Sequence, residues 1–336
     1  MIDGHGDDAF RYGGRVRVNF STNIHQRVDH SGLLAHLAAV GDIFSSYPEP
    51  EPRSLEHFLA GEAGVGDDCV MATNGATEMI YLLAQSRSGG HSAVVAPTFR
   101  EYQDACGIFR HEVTFLSSIR DIPRDADMLW LCNPNNPTGR VTGRTELLEA
   151  VDSRPGTLFV IDQAYADYSV REVLSPRDVV SRDNIVSLHS LTKRFAIPGL
   201  RVGYAMGRAS ALDRVRRLRM PWSVNSVASE ASRYLLAHCC DYAIDRAGLN
   251  AEAVRIAESL NRMGISSEPT DCNFFLAELP TGKASSLKEW LVEHHGILIR
   301  DASNFEGLGE RHFRIAAQGR RENDELINAI REWISL

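Results

Sequence analysis

The chain has 336 residues, 43% hydrophobic and 24% charged, which is enough apolar material for a full core and more length than most single domains need. Its formal net charge of −8 at pH 7 argues against a general affinity for nucleic acid, so any anionic ligand must be held by a local cluster of arginines working against the overall field. No apolar run approaches the roughly 18 to 20 residues of a membrane span, and residues 1–10 are acidic and polar where a signal peptide would be basic and then apolar, which makes the cytoplasm the expected location.

The first 30 or so residues carry little periodicity and read as an arm that packs on the rest of the protein or on a partner subunit. Between about residues 68 and 206, short apolar runs recur at 69–72, 93–96, 128–132, 158–161, 185–188 and 202–206, with helical patterns such as 77–85 and 146–151 between them. Near-continuous apolar strands alternating with helices predict an α/β fold whose sheet is largely parallel and covered on both faces. In such sheets ligands bind beyond the carboxyl ends of the strands. From about Asn225 the pattern changes to amphipathic helices at 228–238 and 251–263, short strands at 273–279, 297–299 and 313–316, and a closing helix at 323–334. This predicts a smaller α+β domain, and hence an arm at 1–35, a large domain at 36–225 and a small domain at 226–336. The proline-rich stretch 47–52 reads as a rigid loop. Six cysteines, Cys69, Cys106, Cys132, Cys239, Cys240 and Cys272, contain no C-x-x-C pair and suit reduced core thiols, with no disulfide or zinc expected.

The chemistry gathers at the predicted strand ends. After the first strand comes Thr73-Asn74-Gly75-Ala76-Thr77-Glu78, where a glycine opening a helix lets backbone amides face an anion; a ligand-free turn is the commoner reason for such a glycine. Neither G-x-G-x-x-G after a strand nor G-x-x-x-x-G-K-[ST] is present, so a different phosphorylated ligand is required. The third strand end carries Asn133-Pro134-Asn135-Asn136-Pro137-Thr138-Gly139, a loop fixed by prolines that leaves amide side chains at the sheet edge. The fourth carries Asp162-Gln163-Ala164-Tyr165. A carboxylate directly after four apolar residues needs a cation, such as a protonated ring nitrogen, or else caps a helix. The fifth carries Ser190-Leu191-Thr192-Lys193-Arg194, then Pro198-Gly199-Leu200-Arg201-Val202-Gly203. Alone, Lys193 would be an ordinary surface lysine, but desolvation after a buried strand lowers an amine's pKa and makes it nucleophilic. A lysine, an acid, an amide loop and an anion-binding turn at one sheet edge are what a pyridoxal 5′-phosphate site requires.

On these motifs, N-P-N-N-P-T-G, D-x-A-Y, S-x-T-K and G-x-R-x-G in this order, the chain resembles the class I/II aminotransferase superfamily of fold type I pyridoxal phosphate enzymes over nearly its whole length. Within it, the sequence is most similar to the threonine-phosphate decarboxylase and histidinol-phosphate aminotransferase branch. The resemblance implies that Lys193 holds the cofactor as a Schiff base and shuttles the proton, that Asp162 pairs with the pyridine nitrogen, and that Asn136 and Tyr165 hold the ring oxygen. It further implies that Gly75, Ala76, Thr77, Ser190 and Arg201 bind the cofactor phosphate and that Phe99 stacks on the ring. Tyr47 corresponds to a tyrosine that reaches the partner's cofactor phosphate, which implies a homodimer. Arg314 and Arg300 correspond to arginines that grip the anionic groups of the substrate, with Arg320 a weaker candidate.

Two departures stand out: the usual D-E-A-Y has Gln163 as its second residue, and His5-Gly6-Asp7 only partly matches an H-G-G opening, His5 being carried over as a phosphate contact. His5-Gly6, then residues 20–24 and 296–305, favour the decarboxylase over the aminotransferase. The adjacent His294 and His295 do not suggest a metal, because neighbours on a helix point apart. A non-catalytic regulatory module is the reading from another class, disfavoured because no helix-turn-helix is evident.

Overall fold

A computed structural model describes residues 7–25 and 28–336. Runs such as Met128–Cys132 and Leu158–Asp162 have no solvent face, and the fold buries them on both sides. The strands are β1 (Val18–Asn19), β2 (Val70–Thr73), β3 (His91–Val95), β4 (Glu112–Leu116), β5 (Met128–Cys132), β6 (Leu158–Asp162), β7 (Ile185–His189), β8 (Gly203–Gly207), β9 (Ser266–Ser267), β10 (Phe274–Glu278), β11 (Ile297–Leu298), β12 (Arg300–Asp301) and β13 (His312–Ala316). Seven of them form the main sheet in the order β2-β8-β7-β6-β5-β3-β4.

The predicted strands and helices are all present, with ends shifted by a few residues. The helices at Gly75–Ser86, Arg144–Asp152, Ser226–Ala237, Arg246–Asn261 and Arg320–Ile334 stand where the periodicity put them. The sheet is largely parallel, but β8 runs antiparallel to both β2 and β7. The link from β7 to β8 holds only a short helix at Leu191–Arg194 and a turn at Pro198–Leu200, with no crossover helix to carry the chain back to the far edge. This reversal matters for the site: the start of β8 lies at the same edge as the carboxyl ends of the others, Thr73 pairing with Gly203. Edge strand β4, with only Leu116 of its five residues buried, escaped the apolar-run criterion.

Alternate residues of the central strands serve opposite faces. Met128, Trp130, Val160 and Val186 join the core under the helix Gly75–Ser86, while Leu129, Leu131, Phe159 and Ile161 join the core on the other side. The second sheet, β12-β13-β10-β9, is antiparallel and packs Phe275, Phe313 and Ile315 against the helices Arg246–Asn261, Ala284–His295 and Arg320–Ile334. The arm packs on this part: β1 pairs in parallel with β11, the Phe20 N–H donates to Leu298 O at 2.7 Å, and the Tyr12 hydroxyl donates to Glu289 at 2.6 Å. Cys106, Cys132 and Cys272 are core thiols as expected, whereas Cys69 and Cys239 are half-buried and Cys240 is exposed on a short turn at Cys239–Tyr242.

Candidate active site

Where β2, β5, β6 and β7 end and β8 begins, a cavity of ≈ 330 Å³ opens. Its walls include Ala76, Thr77, Phe99, Asn136, Asp162, Tyr165, Ser190, Lys193, Arg201, Arg300 and Arg314, so most of the residues singled out in the sequence share one space. Gly75 stands behind this wall, against Arg201. Tyr47 is not among them. It is 88% exposed, with its ring 5.8 Å from that of Trp222. His5 lies outside the described residues. Arg320 is on the surface, paired with Glu252 at 3.2 Å, and His294 stacks on Trp290.

One end of the cavity is an anion cradle. Gly75 has φ +77, so the chain turns sharply from β2 into the helix Gly75–Ser86 and leaves first-turn N–H groups without helical acceptors. A Cβ at Gly75 would stand 2.7 Å from Arg201 Nη2, which measures how closely that guanidinium covers the turn. A Cβ at Gly203 would lie 2.7 Å from the Ala76 nitrogen and 2.8 Å from His189 O, so β8 approaches the turn as only glycine permits. Arg201 is itself in the left-handed region, φ +57, and is fixed by a 3.1 Å bond from Nη1 to Pro198 O. Backbone amides, a hydroxyl from Ser190 and a guanidinium thus converge, the donor set a phosphate dianion takes.

Asp162 lines the same cavity. Its Oδ2 accepts a 2.6 Å hydrogen bond from the Tyr102 hydroxyl and its Oδ1 accepts from the Ala164 N–H at 2.9 Å; it caps no helix. Burial raises its pKa, against the lowering effects of the Tyr102 bond, the Ala164 N–H and the Lys193 charge. Lys193 stands with its amine 5.7 Å from the centre of the Tyr165 ring. Burial, then Arg314 and Arg201, pull its pKa down to about 8, while Asp162 and Asp7 act the other way. An amine with a lowered pKa, a buried carboxylate with no guanidinium or ammonium in salt-bridge range among the described residues, and a phosphate-shaped cradle fit pyridoxal phosphate: nucleophile, ring-nitrogen partner and anion site.

Two further arginines line the cavity. Arg314 on β13 is 5% exposed and donates to Asn136 Oδ1 and to the Ser21 carbonyl; burial, with the neighbouring Arg300 charge, lowers its pKa to about 9. Arg300 on β12 donates to Asn304 Oδ1 at 2.9 Å and sits over the Phe305 ring at 5.6 Å. β12 and β13 pair with Arg300 opposite Arg314, and that register brings two cations to one pocket.

The sequence profile of the aminotransferase class I and II family matches residues 65–330. The chain belongs to that family. Its members are pyridoxal phosphate-dependent enzymes, and so is this protein. The threonine-phosphate decarboxylase of Salmonella typhimurium is 30% identical over 335 residues, covering 95% of this chain and 91% of that protein. The histidinol-phosphate aminotransferase of Desulfitobacterium hafniense is 29% identical over 321 residues, covering 90% of this chain and 87% of the other. Among solved structures, L-threonine-O-3-phosphate decarboxylase from Porphyromonas gingivalis superposes with a TM-score of 0.92 at 36% identity, covering 95% of this chain and all of that one.

Against the family pattern, Gln163 is not a site residue: its Nε2 donates to Leu174 O at 3.1 Å, so the charge missing from D-E-A-Y is missing outside the cavity. Three residues of the site went unassigned in the sequence. Tyr102 ends the same stretch as Phe99 but follows the charged pair Arg100 and Glu101, so no local signal marked it as a core residue. Asp7 lines the cavity rim, held by the Asn19 amide at 2.9 Å and the Ala9 N–H at 3.0 Å. Asn23, between Thr22 and Ile24, lines the cavity from the arm, which only the pairing of β1 with β11 brings there.

Proposed function

We propose that this enzyme is a lyase acting on a phosphorylated amino acid, of the threonine-phosphate decarboxylase type, with Lys193, Asp162 and Tyr165 in the catalytic roles. The observation that carries the reading is the pair Arg300 and Arg314 in one pocket with Lys193, together with the 36% identity to the Porphyromonas gingivalis decarboxylase. Two guanidiniums suit a substrate with two anionic groups, a carboxylate and a phosphate. Residues 36–225 are read as the large cofactor-binding domain, residues 226–336 as the small C-terminal domain and residues 1–35 as an arm.

When bound, pyridoxal phosphate supplies an electron sink for the pair left at the reacting carbon. Ala76, Thr77, Ser190 and Arg201 would hold its phosphate, with Gly75 giving the turn its shape. Phe99 would lie against the ring, and Asn136 and Tyr165 would hold its oxygen. Asp162, whose carboxylate accepts from Tyr102 and from the Ala164 N–H against the effect of burial, would hold the proton on the ring nitrogen. Lys193 Nζ would hold the cofactor's aldehyde carbon and later deliver a proton to the reacting carbon, its lowered pKa leaving it able to do both near neutrality. Arg314 and Arg300 orient the substrate, and orientation decides which bond breaks. The exposed Phe44, Tyr47, Met220 and Trp222 support assembly as a homodimer in which Tyr47 reaches the partner's site.

The similarity to histidinol-phosphate aminotransferases supports a second reading with the same residues, an amino transfer that needs 2-oxoglutarate. The deciding assay gives cofactor-loaded protein O-phosphothreonine alone and, separately, histidinol phosphate with 2-oxoglutarate. Carbon dioxide and an amino-propanol phosphate from the first are expected; glutamate from the second alone would overturn the lyase reading.

A further inference from the structure

Lys193 stands on a helix of only four residues, Leu191–Arg194, and so short a helix does not hold its own shape, because nucleating it fixes several backbone angles for one hydrogen bond. The chain leaves it through Ala196, which lies in the left-handed region at φ +54. What fixes the lysine's main chain must therefore come from elsewhere in the fold. His30 Nε2 donates to Phe195 O at 2.8 Å, a carbonyl being able only to accept, and the Tyr168 hydroxyl donates to Lys193 O at 2.9 Å. Of these two bonds, the second holds the lysine itself.

Tyr168 is 1% exposed and packs in the same core as Tyr165 and Phe274. A phenylalanine would fill that space equally well, so what the hydroxyl adds is its hydrogen bonds: it donates to Lys193 O and accepts from the His25 N–H at 3.2 Å. Burial raises its pKa, which keeps it protonated and a donor. Its place in the chain gives the bond its meaning. Asp162 ends β6, Tyr165 follows, and Tyr168 closes the short turn Ala166–Tyr168. One segment thus carries the buried acid and the hydroxyl that holds the lysine's carbonyl. In the sheet, the pairing of β6 with β7 ends at Asp162 opposite Leu188, and Lys193 lies beyond it. The ladder therefore does not set the distance between acid and amine, and the Tyr168 bond spans the gap.

We infer that Tyr168 is a positioning residue for Lys193: its hydroxyl fixes the lysine's main chain against the segment that carries Asp162, and so sets where Nζ meets the cofactor. The inference rests on the reading of Lys193 as the residue that holds the cofactor, and it is independent of the substrate.

The test mixes cofactor-free protein with increasing pyridoxal phosphate and follows the rise of visible absorbance, which separates the half-saturating concentration from the limiting rate. Tyr168→Phe keeps the ring and removes the donor. Its limiting rate should fall about tenfold, the effect of a misplaced reacting group, while the half-saturating concentration stays within about twofold, because the phosphate cradle and Asp162 are unchanged. Thr157→Val controls for the loss of a buried hydrogen bond as such. Thr157 is buried and its Oγ1 donates to Ala126 O at 2.8 Å, next to the end of β6 remote from Asp162. That variant should keep both quantities within about twofold of wild type, even where urea unfolding shows it less stable. An unchanged limiting rate in Tyr168→Phe, a matching fall in Thr157→Val, or a rise in the half-saturating concentration that accounts for the whole effect would overturn the inference. Lys193→Ala tests the premise separately: borohydride reduction should fix cofactor to wild type and to Tyr168→Phe but not to this variant. Cofactor fixed to Lys193→Ala would overturn the reading of Lys193 itself, a result that no behaviour of Tyr168→Phe can produce.

Discussion

The Tyr102 hydroxyl donates to Asp162 Oδ2 at 2.6 Å from a ring stacked on Trp130 at 5.5 Å, so the acid at the centre of the site is held by an aromatic fixed in the core. Asp162 is buried, and burial alone would favour its neutral form; the Tyr102 bond opposes this. Tyr102→Phe keeps the stacking and removes the donor. The variant should lose about 1.5–3 kcal/mol of stability at neutral pH, the usual worth of a hydrogen bond to a charged group, and retain cofactor less well on dialysis. Urea unfolding and residual visible absorbance would measure the two effects. Unchanged cofactor retention would mean that Tyr102 only fills space.

Lys193 makes a prediction in pH. In the cofactor-free protein its pKa is lowered from 10.5 to about 8, mainly by burial. Between those values the unfolded chain binds the proton and the folded protein does not, so stability rises with pH across that window. The penalty is fully present below about 8 and absent above 10.5. Lys193→Met should therefore stabilise the cofactor-free protein at pH 7, by on the order of 2–3 kcal/mol, with the gain vanishing near pH 10.5. Urea unfolding at both pH values checks the sign. Lys193→Ala in the holoenzyme should abolish covalent cofactor attachment and nearly all turnover while the fold persists.

Most of this site was readable because strand ends in an α/β sheet are local features. Asp162, Ser190 and Lys193 follow apolar runs that any reader of the sequence can find, and their convergence needs only that the runs become neighbouring strands. The direction of β8 was not readable, since apolar content is blind to strand polarity, and yet it is that reversal which brings Arg201 to the cradle. Asn23 and Asp7 were hidden for another reason. They sit in a stretch of weak periodicity whose position depends on β1 joining β11, a contact across almost 280 residues of sequence. Nothing local in such a segment reports what it will touch.

Behind the cradle, Glu56 carries a buried charge network. Its carboxylate accepts from Arg219, from Arg216 at 3.3 Å and from the Ala72 N–H at 3.1 Å, tying the helix Arg53–Ala63 to β2. Removing one partner of such a network strands the other charges. Glu56→Gln should cost about 3–5 kcal/mol of stability, seen as a lower urea midpoint with an unchanged slope. A loss under about 1 kcal/mol would show that the arginines find water instead.

Gly203 offers the sharpest test of the cradle, because its demand is steric. A methyl group there meets the Ala76 nitrogen at 2.7 Å, His189 O at 2.8 Å and the Gly75 carbonyl carbon at 3.0 Å, all of them backbone, so no side chain can swing aside. Either β8 leaves β7 or the turn at Gly75–Ala76 moves outward, and the second is easier because the turn borders the cavity. Gly203→Ala should therefore cost about 1–3 kcal/mol, as overpacked sites do, and weaken cofactor binding by more than its effect on stability would suggest. Raising the temperature in steps separates the two: weak binding should persist well below the unfolding midpoint. Wild-type cofactor affinity in a variant of unchanged stability would mean that the turn at Gly75 is not the part that holds the phosphate.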